Sequence, residues 1–201
     1  MSENKKEIIV DDVKKGDSIV KMDEKQVDSV KAPKEYVKVT DLSIDDINAL
    51  PKFSVEIKLI ERTYNGNVNK YPSLTLKLGP GLELSPTKDL FKEADFYYLK
   101  TAILVPKYKL AADKNEFLIK CPVRFCKGIK LDNDGNPYDY HYIQILIAKG
   151  VTYSVYLNKK NRELDLFNTY QENGVIPKVE WLVNNSIVKT DSDGSQMEIF
   201  E

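Results

Sequence analysis

Apolar and polar residues alternate with a period of two over two long stretches of this chain, and a turn signal interrupts each alternation. Phe53, Val55, Ile57 and Leu59 interleave with Ser54, Glu56, Lys58 and Ile60, the pattern of a strand with one buried face. Asn65-Gly66 follows, a pair suited to a two-residue type I′ hairpin turn because both central residues must take positive φ. Setting Tyr64 opposite Asn67 brings Val55 to Leu76, Ile57 to Leu74 and Leu59 to Pro72. The apolar sets of both arms then fall on one side, as a correct register requires. The other side carries Lys58, Arg62, Tyr64, Tyr71, Ser73, Thr75 and Lys77.

The second alternation spans Glu116–Ala148. Phe117, Ile119, Cys121, Val123 and Phe125 alternate with Lys120, Arg124 and Cys126, and Ile143, Ile145 and Ile147 alternate with Tyr140, Tyr142 and Gln144. Asp132-Asn133-Asp134-Gly135-Asn136-Pro137 supplies the loop. Pairing Phe125 with Ile143 again aligns the apolar sets, sets Arg124 opposite Gln144 and Lys130 opposite Tyr138, and predicts a solvent face of Lys120, Arg124, Lys130, Tyr138, Tyr140 and Tyr142.

Between and beyond the hairpins the signals are shorter. Tyr36–Leu42 reads as a strand, and Ser43 with Asp45 and Asp46 as the start of a short helix ending at Pro51. Gly79-Pro80-Gly81 breaks the first hairpin. Ser85-Pro86 and Asp89 open a second short helix through about Ala94. Phe96–Val105, rich in Tyr and β-branched residues, reads as a strand. Val151–Leu157 is another, followed by a turn at Asn158-Lys159-Lys160-Asn161 and strands at Glu163–Asn168 and Lys178–Val183, the latter holding Trp181.

Composition and charge divide the chain in three. Residues 1–34 hold no aromatic residue and eight Lys against eight acids, which predicts a disordered tail. Residues 35–189 form a β-rich domain; 51–189 hold 18 of the 20 aromatics and 21 basic against 15 acidic residues. Residues 190–201 carry four acids and no base, an acidic and flexible end. No run approaches the ~18–20 apolar residues of a membrane helix, and Met1–Val10 lacks the pattern of a secretory signal, so a cytoplasmic protein with no membrane association is expected.

Catalytic signatures are missing. His141 is the only histidine; it is flanked by tyrosines on a strand, with no nucleophile elbow in the chain, and reads as a packed or surface residue. Cys121, Cys126 and His141 give three donors where structural zinc takes four, so the cysteines read as reduced, half-buried thiols. Asp132-Asn133-Asp134-Gly135 and Asp191-Ser192-Asp193-Gly194 place Gly at the fourth position of a calcium-loop frame instead of the sixth. Gly79-Pro80-Gly81 is no phosphate loop, since Pro80 lacks an N–H and no Lys-Ser/Thr follows. A non-enzymatic protein with no cofactor and no metal is the expectation.

Two hairpins that each present cations and tyrosines on one face suit single-stranded nucleic acid, where cations neutralise phosphates and aromatic rings stack on bases. The candidate contacts are Lys58, Arg62, Tyr64, Tyr71, Lys77, Lys120, Arg124, Lys130, Tyr138, Tyr140 and Tyr142. The closing run, Asp191-Ser192-Asp193-Gly194-Ser195-Gln196-Met197-Glu198-Ile199-Phe200-Glu201, resembles the tail tip of bacterial and phage single-stranded DNA-binding proteins, although there Phe usually ends the chain and here Glu201 follows it. That resemblance implies an oligonucleotide/oligosaccharide-binding (OB) barrel, and a tip at Ile199 and Phe200 that docks on replication or recombination proteins and competes with DNA. The expected fold is mainly β, an OB-like barrel or a strongly bent antiparallel sheet with one or two short helices; a β-sandwich or an α+β arrangement fits the same elements. The expected function is sequence-tolerant binding of single-stranded DNA or RNA in replication, recombination or transfer of a phage or plasmid. The rival readings are a viral or plasmid accessory protein that blocks a host protein and a small enzyme without a recognisable motif.

Overall fold

The computed structural model describes residues 38–190 and 196–199, with side chains described through Asn184. Val39–Asp41 forms a 3-10 turn where Tyr36–Leu42 reads as a strand in the sequence. Helix α1 (Ile44–Ala49) begins as expected at Ser43, whose hydroxyl accepts from the Asp46 N–H while the Asp46 carboxylate accepts from the Ser43 N–H, a reciprocal cap.

The first hairpin is β1 (Lys52–Tyr64) and β2 (Asn67–Gly79), in the register the alternation predicts: Val55 with Leu76, Ile57 with Leu74, Tyr64 with Asn67. Asn65 and Gly66 both take positive φ, 49° and 78°, as a type I′ turn demands. A short strand β3 (Leu82–Leu84) that the sequence reading missed folds back on the end of β2. The second hairpin, β4 (Glu116–Leu131) and β5 (Pro137–Ala148), also has its predicted register, with Phe125 facing Ile143 and Arg124 facing Gln144. In its loop the Asp132 carboxylate accepts from the Asp134 and Asn136 N–H groups at 3.0 and 2.8 Å, so turn chemistry accounts for that segment. Strand β6 (Val151–Leu157) adds to β5.

These strands make one mainly antiparallel sheet in the order β3-β2-β1-β4-β5-β6. Strand β1 pairs with the first half of β4, from Lys58 opposite Glu116 to Lys52 opposite Pro122. Strand β7 (Leu182–Thr190) takes over the same edge from Cys126 onward, running parallel to β4, and β8 (Gln196–Ile199) pairs with β7. The sheet bends until its two path ends, β3 and β6, come near each other without forming a ladder, and it does not close into a barrel.

Two expected strands are helices. Phe96–Val105 lies within a helical segment made of α2 (Glu93–Tyr98), a π-helical stretch (Leu99–Leu104) and α3 (Val105–Tyr108). Aromatic and β-branched composition suggests a strand there, but Phe96, Leu99, Ile103 and Leu104 are the buried set, and spacings of three, seven and eight are helical. The helix expected from Ser85-Pro86 to Ala94 starts only at Glu93, where the Lys92 N–H donates to the Asp95 carboxylate. Glu163–Asn168 belongs to α4 (Glu163–Glu172), which buries Phe167. Of the strand expected at Lys178–Val183, only Leu182 and Val183 enter β7. Within residues 190–201, read from the sequence as an acidic flexible end, Gln196–Ile199 form β8 paired with β7. The N-terminal tail, residues 1–34, lies outside the described residues.

The core fills the inward face of the bent sheet. Phe53, Val55, Ile57, Leu74, Leu76, Ile119, Val123, Ile143 and Ile145 meet Phe91 from the bend before α2, Phe96, Leu99 and Leu104 from the helical segment and Phe167 from α4. Phe125, Phe167 and Trp181 pack ring against ring, with centroids 5.4 to 5.6 Å apart. Helix α4 is anchored to the β2 end by Tyr170, whose hydroxyl donates to the Pro80 carbonyl and whose ring lies against Gly79. A Cβ at Gly79 would sit 2.8 Å from that ring. Gly79→Ala is therefore expected to lower the denaturant midpoint by about 1–3 kcal/mol equivalent with m unchanged. In a Tyr170→Ala background the same change should cost almost nothing; equal costs in both backgrounds would refute this account of the contact.

Candidate nucleic-acid interface

Strand parity sets where the predicted contact residues go. Because β1 pairs with both β2 and β4, the outward faces of the two hairpins are one continuous surface, and all eleven candidate positions lie on its outward side. Their access to solvent differs. Arg62, Tyr64, Tyr71, Lys120 and Tyr138 are exposed; Lys58, Lys77, Lys130 and Tyr140 are half-buried; Arg124 and Tyr142 are buried.

The open part is the distal half of the first hairpin. Every residue from Glu61 to Tyr71 is exposed. Among the described residues, no strand pairs with the free edge of β1 beyond Leu59, and none with the free edge of β2 before Leu76. This two-stranded arm carries Arg62 with its guanidinium carbon 5.7 Å from the Tyr71 ring centroid, a cation–π contact. Asn69 stands opposite Arg62, and Asn67 opposite Tyr64. On its inner side Lys70 ties the arm to α2: its amine donates to the Tyr97 hydroxyl at 3.0 Å and pairs with Glu93 at 3.2 Å. Those two partners, the Tyr97 hydroxyl first, hold the Lys70 amine above the ordinary lysine range. Parity turns Lys70 inward, off the candidate face, and its position opposite Glu61 is the signal that the pattern offers for it.

The centre of the face is charge-compensated. Glu56 accepts from Lys58 at 2.8 Å and from Lys77 at 3.0 Å, and Glu83 lies 3.9 Å from Lys77. The hydrogen bond from Lys58, then that from Lys77, pulls the Glu56 carboxyl below its ordinary value, and the bond to Glu56 raises Lys58. Ser73, Thr75 and Ser85 form a hydroxyl row beside this group, with oxygens 3.3 and 3.1 Å apart. Glu56 stands two residues before Lys58 and diagonally across from Lys77, so the register contained this pairing although a count of cations does not.

The second hairpin presents a tyrosine stack. Tyr140 and Tyr142 lie nearly parallel with centroids 5.3 Å apart, and Tyr156 packs 6.1 Å from each. The Lys130 amine sits 4.6 Å from the Tyr140 centroid and 4.7 Å from that of Tyr156. Burial lowers its pKa, while the two ring faces favour its charged form. Gly128 makes room for the stack, since a Cβ there would stand 2.8 Å from the Tyr140 ring.

Arg124 and Tyr142 correct the solvent-face expectation. Tyr142 is 6% exposed, enclosed by the neighbouring rings and by Asn184, whose amide donates to its hydroxyl at 3.4 Å. Arg124 is 2% exposed. It sits where β4 passes from pairing with β1 to pairing with β7, and Ala49–Pro51 and Pro177–Glu180 fold over that gap around a cavity of about 330 Å³. Alternation predicts the side of a sheet on which a residue points, but not what covers that side.

The remaining chemistry-bearing residues are packed. His141 points inward with its ring 4.8 Å from Trp181, and burial first, then Lys159 and Lys127, lowers its pKa. Cys121 and Cys126 are both fully buried, not half-buried, and lie on opposite faces of β4; burial pushes their thiols up to about 12 and about 11. Among the described residues no three His, Cys, Asp or Glu side chains gather as a metal site, and no helix is long and apolar enough to cross a membrane. Ile199 lies in β8 and Phe200 lies outside the described residues. No protein-family model, curated protein or solved structure matches the chain.

Two outcomes are expected. Thiol-specific reagents should label neither cysteine in the folded protein at neutral pH and both after unfolding, because the reactive thiolate is scarce and enclosed; fast labelling of either would contradict the burial. The lowered Glu56 pKa gives stability that is present above the ordinary value of 4.5 and lost as pH falls through the folded value. Acid melts of Glu56→Gln should lack that part of the decline. Superimposable pH–stability curves for wild type and variant would rule the linkage out.

Proposed function

We propose that this protein binds single-stranded nucleic acid, DNA or RNA, with little sequence preference, along the outward face between its two hairpins. The observation that carries this reading is the arm, where Arg62 lies over Tyr71 and Tyr64 projects beyond them with 72% of its surface in solvent. A ring held in place by a cation but open to water is a ready stacking platform, contributing about 1–3 kcal/mol per stacked base.

Connectivity supports the same reading. A meander of three strands, a helical segment and a fourth strand that returns to pair with β1 follow the order of an OB barrel, in which the face of strands 2 and 3 and the loops 1–2 and 4–5 take oligonucleotides. In this chain those loops are the tips of the two long hairpins. An OB-like origin with the barrel left open and β6 added at its edge is therefore part of the proposal. Tyr138, exposed near the second tip, and Lys120, exposed on β4, extend the path. Asp132, Asp134 and Asp139 near that tip disfavour phosphate there, so the arm is the stronger half. The fitting context is replication, recombination or transfer of a phage or plasmid, with the Ile199-Phe200 tip offered to a protein partner.

Anisotropy titrations of labelled oligo-dT, RNA and duplex across a salt series test the reading. Tyr64→Ala and Tyr71→Ala should each weaken single-strand binding by about 1–3 kcal/mol at every salt concentration. Arg62→Ala should also flatten the salt dependence, by about 0.7 in the log–log slope. Absence of single-strand binding at low salt ends the proposal. Tyr64 and Tyr71 also leave two large rings exposed on the outward side of the arm, which favours a protein-blocking role as the second reading. A salt-insensitive stoichiometric protein complex lost in the Tyr64 and Tyr71 variants would establish that role instead.

A further inference from the structure

We propose that Lys58 and Lys77, with the hydroxyls of Ser73, Thr75 and Ser85 beside them, form a subsite for a backbone phosphate, and that Glu56 occupies this subsite in the free protein as an internal substitute for the anion. The proposal rests on the single-strand reading.

Glu56 offers each lysine one carboxylate oxygen, Oε2 to Lys58 at 2.8 Å and Oε1 to Lys77 at 3.0 Å, distances of charge-assisted hydrogen bonds. A phosphodiester presents the same features: one negative charge shared by two terminal oxygens. What holds the carboxylate will therefore hold the phosphate once Glu56 turns aside. The lysines remain reachable, with 30% and 34% of their side-chain surface in solvent against 15% for Glu56.

Donors for the remaining phosphate lone pairs stand next to the pair. Thr75 is directly opposite Glu56 in the β1–β2 register, and its hydroxyl lies 3.3 Å from that of Ser73 and 3.1 Å from that of Ser85. A row of hydroxyls linked to one another can redirect its hydrogens to an incoming anion. The other charges on this part of the face are Glu116 opposite Lys58, Glu83 near Lys77, and Lys120 opposite Ser54. The panel thus holds as many carboxylates as amines. Entry of a strand must displace Glu56, which lowers both affinity and salt dependence relative to what the lysines alone would give.

The test compares wild type, Glu56→Gln and Glu56→Gln with Lys58→Ala and Lys77→Ala, using labelled oligo-dT and, separately, inorganic tripolyphosphate. Glu172→Gln, which removes an equal charge from α4, controls for net charge, and thermal melts confirm folding. Glu56→Gln should bind either probe about tenfold more tightly at low salt, and its slope against oligo-dT should steepen by up to about 1.4 for two freed lysines. The lysine substitutions should erase the gain, and Glu172→Gln should not reproduce it. No gain with either probe, or a gain matched by Glu172→Gln, overturns the subsite even if wild type binds oligo-dT. A lysine-dependent gain for tripolyphosphate with no oligo-dT binding by any variant keeps the subsite and rejects the single-strand reading.

Discussion

Strand β4 is the constraint on which the rest of the structure depends. Its sixteen residues span roughly 50 Å. One edge carries β5, while the other carries β1 and then β7. The hairpin of β1 and β2 and the hairpin of β4 and β5 share a sheet only through this strand. In its middle, Val123, Arg124, Phe125 and Cys126 are all buried, so both faces are covered there, whereas towards Glu116 the two faces differ. The outward surface is consequently divided. On the β1–β2 side it is open to solvent; on the β4–β6 side it is closed by tyrosines and by the chain around the strand crossover.

That division explains what could be read from the sequence. Strand pairing was legible because apolar side chains on a half-buried sheet must alternate, and a slip by one residue would turn all of them to water. The Asn65-Gly66 turn fixed one register and coincidence of the apolar sets fixed the other. Composition misleads where it disagrees with period. Phe96–Val105 is rich in strand-favouring residues, yet tertiary packing of its helical face overrides propensity. Phe167 and Tyr170 in α4 are three apart and pack on the same side for the same reason. The parallel pairing of β7 with β4 left no local signal, since it joins residues 56 to 58 positions apart in the chain.

The candidate face was legible in its membership and not in its accessibility. All eleven positions point outward, but burial of Arg124 and Tyr142 depends on segments distant in the chain, Ala49–Pro51, Pro177–Glu180 and Asn184. Charge behaves in the same way. The excess of bases over residues 51–189 does not become a basic surface where Glu56 takes two lysines, and Lys130 is held between two rings. A sum over sequence overstates the field that a ligand meets, because short-range pairing neutralises cations before a phosphate arrives.

What the face retains for a ligand is concentrated on the arm, and its construction fits that use. A two-stranded ribbon with no core beneath it is marginal by itself. Here its base is clamped by β3 and β4, and its midpoint by Lys70 on Tyr97 and Glu93. Beyond that midpoint the side chains gain nothing from burial, so their identities are free of packing demands. Arg62, Tyr64, Asn67, Asn69 and Tyr71 occupy the outward side of this stretch, a set with cationic, aromatic and carboxamide chemistry and few groups that would repel phosphate. Where the fold asks so little of side chains, such a set is better explained by contact with another molecule than by stability.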